Sequence, residues 1–488
     1  MKKTRRILSL ILASVLAASV LCSCGGKDEY KEKYESLLSE IGTTSVEETT
    51  EEETTEAEES SESESDYDYD SSVPDIEFDT SGKIEKTVLY DENNIKITAN
   101  ELTYSSYRAV LSLLVENNGE RDITVNSGSI GFSCSAINGY MVSDGHMNCE
   151  LAAKKKANET VTFDYENMQL VGINGIGELK FGFYIEYGGE YKPMYQGYKE
   201  LRTSQFDKYK DTKPSLETLA NNNDLLKKYE VTKERFDKNI DYDQNGVNIS
   251  SVLYAKKGEE QRLFIEYDNT SGNDVYMNLR DVSIDNLSVS SGGYSSVNII
   301  KGCKGLETIN MENLVGDNMK NIIDVEKAGA ISFDVAQYKF DAETELAEKK
   351  RVSIKLSDNS ATNLNEGNVI YNKNGIKIIP RGVVNDDFKY SDDLHLLFLI
   401  ENNYSKQIRV DVKSNSLSVN GYMTDEISFG QSIPKGNTAV FDVEMQSSSL
   451  EKNKISKTSD VKNVELVLEI EDEDYKDVDS VTLNVTYS

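Results

Sequence analysis

The chain has 488 residues, of which 38% are apolar, and its formal net charge is −32. This charge argues against nucleic-acid binding, which needs a basic face, and against charge-driven adsorption to anionic lipid. Only two histidines are present, His146 and His395, so a multi-histidine metal site is excluded and a histidine relay is disfavoured. The length predicts about three domains.

The N-terminus has the features of a secretory signal. Four basic residues, Lys2, Lys3, Arg5 and Arg6, precede an apolar run from Ile7 to Leu21. This run is too short for a comfortable membrane span, so residues 1–23 are interpreted as a signal peptide.

The stretch "LCSC" that ends this segment resembles the lipobox of bacterial lipoproteins. The resemblance implies that Cys24 receives a diacylglyceryl thioether and that acyl chains anchor the protein in the lipid bilayer. The implied location is the extracytoplasmic face of the bacterial cell membrane. The alternative is an ordinary cleaved signal with an incidental cysteine.

An acidic segment follows the anchor. Residues 45–70 hold 13 carboxylates and no lysine or arginine. Such a segment cannot bury enough apolar surface to offset its ordering entropy, so residues 24–82 are predicted to form a disordered spacer. The alternative is an acidic tail that collects calcium or binds a partner.

The rest of the chain contains three copies of one pattern of short alternating strands. The copies span residues 83–203, 239–358 and 365–488, with a partly helical connector at 204–238. Turn signals every 8 to 15 residues predict three tandem immunoglobulin-like antiparallel β-sandwiches, an all-β fold. The second copy is the most divergent, and an insertion is predicted there at about 290–326.

The copies resemble immunoglobulin-like modules of unknown function in Gram-positive surface lipoproteins. Three shared features carry the resemblance: an opening with Asn-Gly or Asn-Asn, a strand that ends in Glu-Asn-Asn, and a lysine turn before Phe-Asp. The turns are Lys156-Ala157, Lys327-Ala328 and Lys435-Gly436, and the pairs are Phe163-Asp164, Phe333-Asp334 and Phe441-Asp442. The resemblance implies a fold and a location but no chemistry.

The stretch "DYDQNG" admits two interpretations. Asp241, Asp243, Asn245 and Gly246 match the first half of a calcium loop, but position 12, which needs an acid, is Val252. Asn-Gly also suits a two-residue type I′ turn, which is the favoured interpretation, so no metal site is predicted. The Glu-Asn-Asn strand ends, at Glu116 and Glu401, are likewise interpreted as Asx turns rather than as oxygen ligands.

The cysteines of the first copy raise a separate question. Cys134 and Cys149 either form a disulfide or are two buried apolar thiols, and both alternatives stay open. Cys303 has no partner in its own copy.

A tyrosine-rich ribbon is the candidate contact patch. Five tyrosines surround a Gly-Gly turn, and tyrosine pairs a flat apolar face with a polar tip. The alternative is that they pack on an ordinary half-buried strand surface. The five are Tyr184, Tyr187, Tyr191, Tyr195 and Tyr198.

No phosphate loop, nucleophile elbow or zinc-protease motif occurs in the sequence. The sequence therefore predicts a non-enzymatic surface lipoprotein without cofactors, which binds an extracellular protein or a polysaccharide. The alternatives are a carbohydrate-binding accessory protein that uses tyrosine-rich surfaces, and a purely structural spacer.

Overall fold

The computed structural model describes residues 76–128, 134–188, 190, 192–289, 293–315, 323–340, 344–358, 367–385, 392–428 and 430–487. These residues form a nearly all-β protein in which antiparallel sheets pack face to face, which confirms the predicted fold class. The signal peptide, Cys24, residues 24–75 of the spacer and Tyr191 lie outside the described residues. No helix in the described ranges is long and apolar enough to cross a membrane.

The first sandwich packs two sheets around a core that includes Val115, Phe163 and Phe183. One sheet has the order β1-β2-β3-β8, and the other contains β7, β4, β9, β5, β6 and β10. The elements are β1 (Thr87–Glu92), β2 (Ile95–Tyr104), β3 (Arg108–Asn117), β4 (Ile123–Ser127), β5 (Ser135–Ile137), β6 (Tyr140–Val142), β7 (Met147–Leu151), β8 (Lys156–Asp164), α1 (Tyr165–Gln169), β9 (Glu178–Tyr187) and β10 (Tyr195–Arg202).

The connector contributes both helices and a strand. Its helices are α2 (Phe206–Tyr209), α3 (Leu216–Asn221) and α4 (Asn223–Lys228), and its strand is β11 (Val231–Asp237). Ser215 and Asn222 cap α3 and α4 by accepting backbone N–H bonds, as N-cap side chains do. Strand β11 pairs with the second sandwich, so the connector is partly built into that domain.

The second sandwich pairs β13 with β14 and β18 in one sheet and places β15, β17, β19 and β20 in the other. Its elements are β12 (Asp243–Gln244), β13 (Val247–Lys257), β14 (Glu260–Asn269), β15 (Val275–Ile284), β16 (Leu287–Ser288), β17 (Gly293–Ile299), β18 (Lys304–Asn310), α5 (Met311–Leu314), a 3₁₀ turn (Val325–Lys327), β19 (Ala330–Lys339) and β20 (Glu345–Lys355).

The third sandwich repeats this arrangement. One sheet contains β21, β22, β23 and β29, and the other contains β24, β25, β28, β30 and β31. Its elements are β21 (Tyr371–Lys373), β22 (Ile376–Asn385), β23 (Leu394–Asn402), β24 (Ile408–Val412), β25 (Ser418–Val419), β26 (Tyr422–Met423), β27 (Glu426–Ile427), β28 (Gln431–Ile433), β29 (Thr438–Met445), α6 (Ser447–Lys452), a 3₁₀ turn (Thr458–Asp460), β30 (Asn463–Asp472) and β31 (Asp477–Thr486).

The strand register corrects the predicted alignment of the second copy. Strand β14 pairs with β18, as β3 pairs with β8 and β23 with β29. Strand β19, which contains Phe333-Asp334, pairs with β15 and is instead the counterpart of β9 and β30. The predicted insertion at 290–326 therefore contains two regular strands, β17 and β18, which were overlooked because β18 lacks a Phe-Asp pair.

The other two Phe-Asp pairs also occupy different positions. Phe163 lies opposite Ala109 of β3, whereas Phe441 lies opposite Phe398, four residues before the end of β23. Local sequence similarity therefore misaligned the copies, because a strand register is set by hydrogen-bonded partners and not by dipeptides.

Two junctions join the sandwiches through the same kind of contact. Strand β6 pairs in parallel with β18, and β16 pairs in parallel with β29. The second sheet of one sandwich thereby continues into the first sheet of the next, which gives combined sheets of 11 and 10 strands.

Glu266 holds the first junction together. The side chain is 1% exposed. It accepts bonds from Tyr140 Oη (3.2 Å) of the first sandwich and from the Leu216 N–H (2.6 Å) and Ser215 Oγ (3.1 Å) of the connector. Lys304 Nζ lies 3.1 Å from the same carboxylate. A buried charge with this many donors is stable only while all its partners are in place, so the contact fixes three elements together.

Candidate functional site

The repeated Asn-Gly and Glu-Asn-Asn motifs build one structural corner in each sandwich. Asn117, Asn269 and Asn402 end equivalent strands, are nearly fully buried, and accept an Asx-turn bond from the N–H two residues later. Their Nδ2 groups donate to two or three backbone carbonyls each. The geometry is that of the predicted Asx turns, and these amides are committed to the scaffold.

The backbone decides between the two interpretations of Asp241 to Gly246. Gln244 lies opposite Val247, with Asn245 and Gly246 at φ of 51° and 76° between them, as a type I′ hairpin requires. Asn93-Asn94 and Asn374-Gly375 form the same turn in the other sandwiches. Asp241 is 99% exposed and pairs with Lys350 at 3.0 Å. No cluster of metal-ligating side chains occurs in the described ranges.

The tyrosine ribbon does not form a single surface. Tyr195 points into the first sandwich, with ring centroids 4.9 Å from Tyr90 and 5.0 Å from Phe183. Tyr187 also packs on this core, under the guanidinium of Arg121. Tyr184 and Tyr198 alternate with them and lie on the opposite face. Tyr198 packs against the core cluster of the second sandwich. Strand alternation therefore divides the four described tyrosines between two faces.

The three cysteines in the described part of the chain, Cys134, Cys149 and Cys303, are free thiols. Cys149 belongs to the core of the first sandwich, whereas Cys134 packs with the cluster that contains Cys303. Burial raises the pKa of all three thiols, which lowers the fraction of reactive thiolate. This environment is that of packed apolar thiols and gives no support to a nucleophile.

A cleft of about 540 Å³ lies between the first sandwich and the connector. The rings of Phe78 and Tyr165 stack on its wall at 4.0 Å. Its polar groups already have partners: Tyr165 Oη donates to the Ser105 carbonyl (2.9 Å), and Gln169 Nε2 donates to the Ile76 carbonyl (3.0 Å). The second bond ties Ile76, which precedes β1, to α1, and the first ties α1 to the turn between β2 and β3, so both have a structural role.

A second cavity, of about 410 Å³, lies at the corner of the second sandwich. Its lining in the described part of the chain carries no charged group and consists of Asn245, Ser271, Gly272, Asn273, Gln337 and Leu346. Gln337, in β19, is 1% exposed, and neither its Nε2 nor its Oε1 has a hydrogen-bond partner among the described residues. An amide left unpaired in a protein interior costs about 1–3 kcal/mol.

The counterparts of Gln337 show what is unusual about this position. Gln337 lies opposite Met277, whereas the equivalent pairs are Ile185 with Val125 and Ile470 with Val410. Both isoleucines are at most 1% exposed. Two copies thus fill this core position with an apolar side chain, and the second copy places an unpaired amide there, beside a cavity.

Sequence reasoning missed this site because it aligned β19 with the wrong strands. In the correct register, one polar residue at a core position where two other copies have isoleucine is a visible signal. The loop of Ser271 to Asn273 and the turn residue Asn245 belong to the corner that all copies share. The shared corner therefore forms most of the cavity wall, and Gln337 is the wall residue that replaces the isoleucine of the other copies.

This arrangement is chemically suited to the recognition of a ligand. A carboxamide offers one donor group and one acceptor side by side, which suits an uncharged ligand with the complementary pair. No family model matches the chain, and no curated protein matches it either.

Proposed function

We propose that the chain is a non-catalytic, lipid-anchored protein of the outer face of a bacterial cell membrane that presents immunoglobulin-like binding modules. The observation that carries the binding role is Gln337, a buried and unpaired amide on the wall of a 410 Å³ cavity. Cavities of this size are typical of small-ligand sites. The repeated corners serve as scaffold, and the ligand is met by Gln337, which stands where the other two copies have isoleucine.

The proposed ligand is an uncharged group with a hydrogen-bond donor next to an acceptor, such as the hydroxyl pairs of a sugar in a polysaccharide. The absence of charge on the described lining disfavours ionic ligands, because a buried ion needs a partner. The tyrosine ribbon does not support the carbohydrate alternative, since its described members are split between two faces.

The binding proposal is tested by titrating the full chain with glucose or with N-acetylglucosamine and detecting binding by NMR or calorimetry. Gln337→Ile copies the residue of the other sandwiches and is expected to weaken binding of the recognised sugar at least tenfold. Gln196→Ile, the same change on an exposed strand position of β10, is the matched control and keeps wild-type affinity. Equal affinity in all three chains, or no binding by the wild type, refutes the ligand site.

The anchor proposal has its own test. Cys24→Ser removes the thiol that would be acylated, so the protein is expected to move from the membrane fraction to the medium. Retention of the variant in the membrane fraction contradicts lipid anchoring but leaves the ligand proposal untouched.

A further inference from the structure

Each of the three sandwiches has the same hairpin, and in two of them the hairpin pairs with the following sandwich. In the first sandwich it connects β5 and β6, and in the second it connects β15 and β16. At both junctions it pairs with the next sandwich through one equivalent bond. The Lys304 N–H donates to the Gly139 carbonyl (2.9 Å), and the Thr438 N–H donates to the Asn286 carbonyl (2.8 Å).

The third hairpin, between β25 and β26, is not covered by another sandwich among the described residues. Tyr422 is 55% exposed and Met423 is 59% exposed. Their counterparts in the first hairpin, Tyr140 and Met141, are 1% and 8% exposed. The same tyrosine and methionine that are buried at the first junction therefore form an apolar tip on the third sandwich.

The edge that receives the hairpin also occurs three times. Lys304 begins β18 and Thr438 begins β29, and both pair with a hairpin from the preceding sandwich. Their counterpart in the first sandwich is Lys156, which begins β8. Lys156 lies opposite Glu116, and Lys304 lies opposite Asp268, which is the equivalent residue of the second sandwich. Strand β8 is the last strand of its four-stranded sheet in the described part of the chain. The first sandwich thus has the receiving edge without a hairpin.

We propose that the third hairpin of one molecule docks on the β8 edge of a second copy, in the register of the internal junctions. At the first internal junction Tyr140 contacts Glu266. In the same register, Tyr422 takes the place of Tyr140, and Leu114 of the second copy takes the place of Glu266. The Lys156 N–H would then donate to the Gly421 carbonyl. Each molecule offers one hairpin and one edge, so the contact is head-to-tail and generates chains or rings.

Charge complementarity favours this occupant. The receiving edge of the first sandwich begins with the run Lys154, Lys155 and Lys156, of which Lys154 pairs with Glu120 and Lys156 with Glu116 of the same sandwich. The third hairpin is followed directly by Asp425 and Glu426. Opposite charges at a contact speed association and select the partner, even where they add little affinity.

The contact is weaker than the internal junctions. The receiving face of the third sandwich is apolar, with Ile379, Leu397 and Val440 in the shared core cluster. The equivalent positions of the first sandwich are polar: Thr98, Ser112 and Asn158. The internal junctions also gain from linkage in one chain, which corresponds to an effective concentration of about 1 mM. Association is therefore expected only at high protein concentration.

Cross-linking of two chains that each carry one added cysteine tests the register. Ser288 pairs with Ala439 at the internal junction, and the equivalent pair between molecules is Met423 with Ala157. Chains carrying Met423→Cys and Ala157→Cys are mixed with oxidised glutathione, which accepts the two electrons as the thiols form a disulfide and is reduced to two glutathione molecules. Neighbouring strands are about 4.8 Å apart, which lies within the Cα range of disulfides.

A cross-linked dimer of the two chains is expected, and the double-substituted chain is expected to give a ladder. Met423→Cys mixed with Asn484→Cys, an exposed position of β31, is the matched control and should stay at the background of the parent chain. Equal cross-linking in both mixtures, or none above background, overturns the register.

Sedimentation of the full chain tests the surface without added cysteines. The wild type is expected to form heavier species as its concentration rises to about 1 mM. Tyr422→Asp should abolish them, whereas Tyr475→Asp, at an 84% exposed turn residue, should not. Circular dichroism confirms that both variants fold. A single species at all concentrations, or association that survives Tyr422→Asp, overturns the proposal.

Discussion

Raising the pH from about 5 to about 9 is expected to destabilise the second sandwich through Glu307. This side chain, in β18, is 4% exposed and accepts a bond from Tyr267 Oη at 3.0 Å. Ser295 Oγ, on the opposite sheet, also bonds to it. Burial raises the pKa of Glu307 from 4.5 to about 8, so the folded protein keeps the proton that the unfolded chain loses.

The sign and size follow from proton linkage. Below about pH 4.5 both states are protonated, and the group does not affect stability. Between about pH 4.5 and 8 only the unfolded state releases the proton, so the free energy of unfolding falls as the pH rises. One pKa unit corresponds to about 1.4 kcal/mol, so the loss above pH 8 is about 5 kcal/mol at most.

Glu307→Gln keeps the shape and removes the titration. Urea unfolding followed by circular dichroism is measured for both chains at about pH 5 and about pH 9. The stability of the variant relative to the wild type should increase by several kcal/mol between the two conditions. Subtracting the two chains cancels the titration of all other groups. A relative stability that does not change with pH would refute the assignment of a buried, protonated Glu307.

Three further outcomes are expected. Asn402→Ala should lower the free energy of unfolding by about 2–3 kcal/mol, because it leaves buried carbonyls unpaired, and exposed Asn403→Ala should have little effect in the same urea titration. Glu266→Ala should cost about 3–5 kcal/mol and increase hydrogen exchange of β6 and β18, since it removes the shared acceptor of the first junction. Calcium should release no stoichiometric heat in calorimetry, and heat that Asp243→Asn abolishes would contradict the hairpin assignment.

The sequence was informative wherever a local rule decides the structure. Asn-Gly and Asn-Asn predicted the type I′ turns, because few other dipeptides tolerate two consecutive positive φ values. Alternation of apolar residues predicted the all-β fold, and the recurrence of the opening motif predicted three copies.

Alignment of the copies failed where the signal depended on pairing. The dipeptides of Phe163, Phe333 and Phe441 look alike, but Phe333 lies in a different strand and Phe163 and Phe441 lie four residues apart in equivalent strands. The tyrosine ribbon failed for a related reason, since residues that are close in sequence alternate between the two faces of a strand.

The sequence by itself determined the charge, the turns, the strand content and the number of copies, because each depends on neighbours within a few residues. Only the tertiary structure decided that Gln337 occupies a position where Ile185 and Ile470 are buried, and that Tyr422 is exposed where Tyr140 is covered. The first fact depends on a strand partner about 60 residues away, and the second on cover by a different sandwich, so no local pattern encodes them.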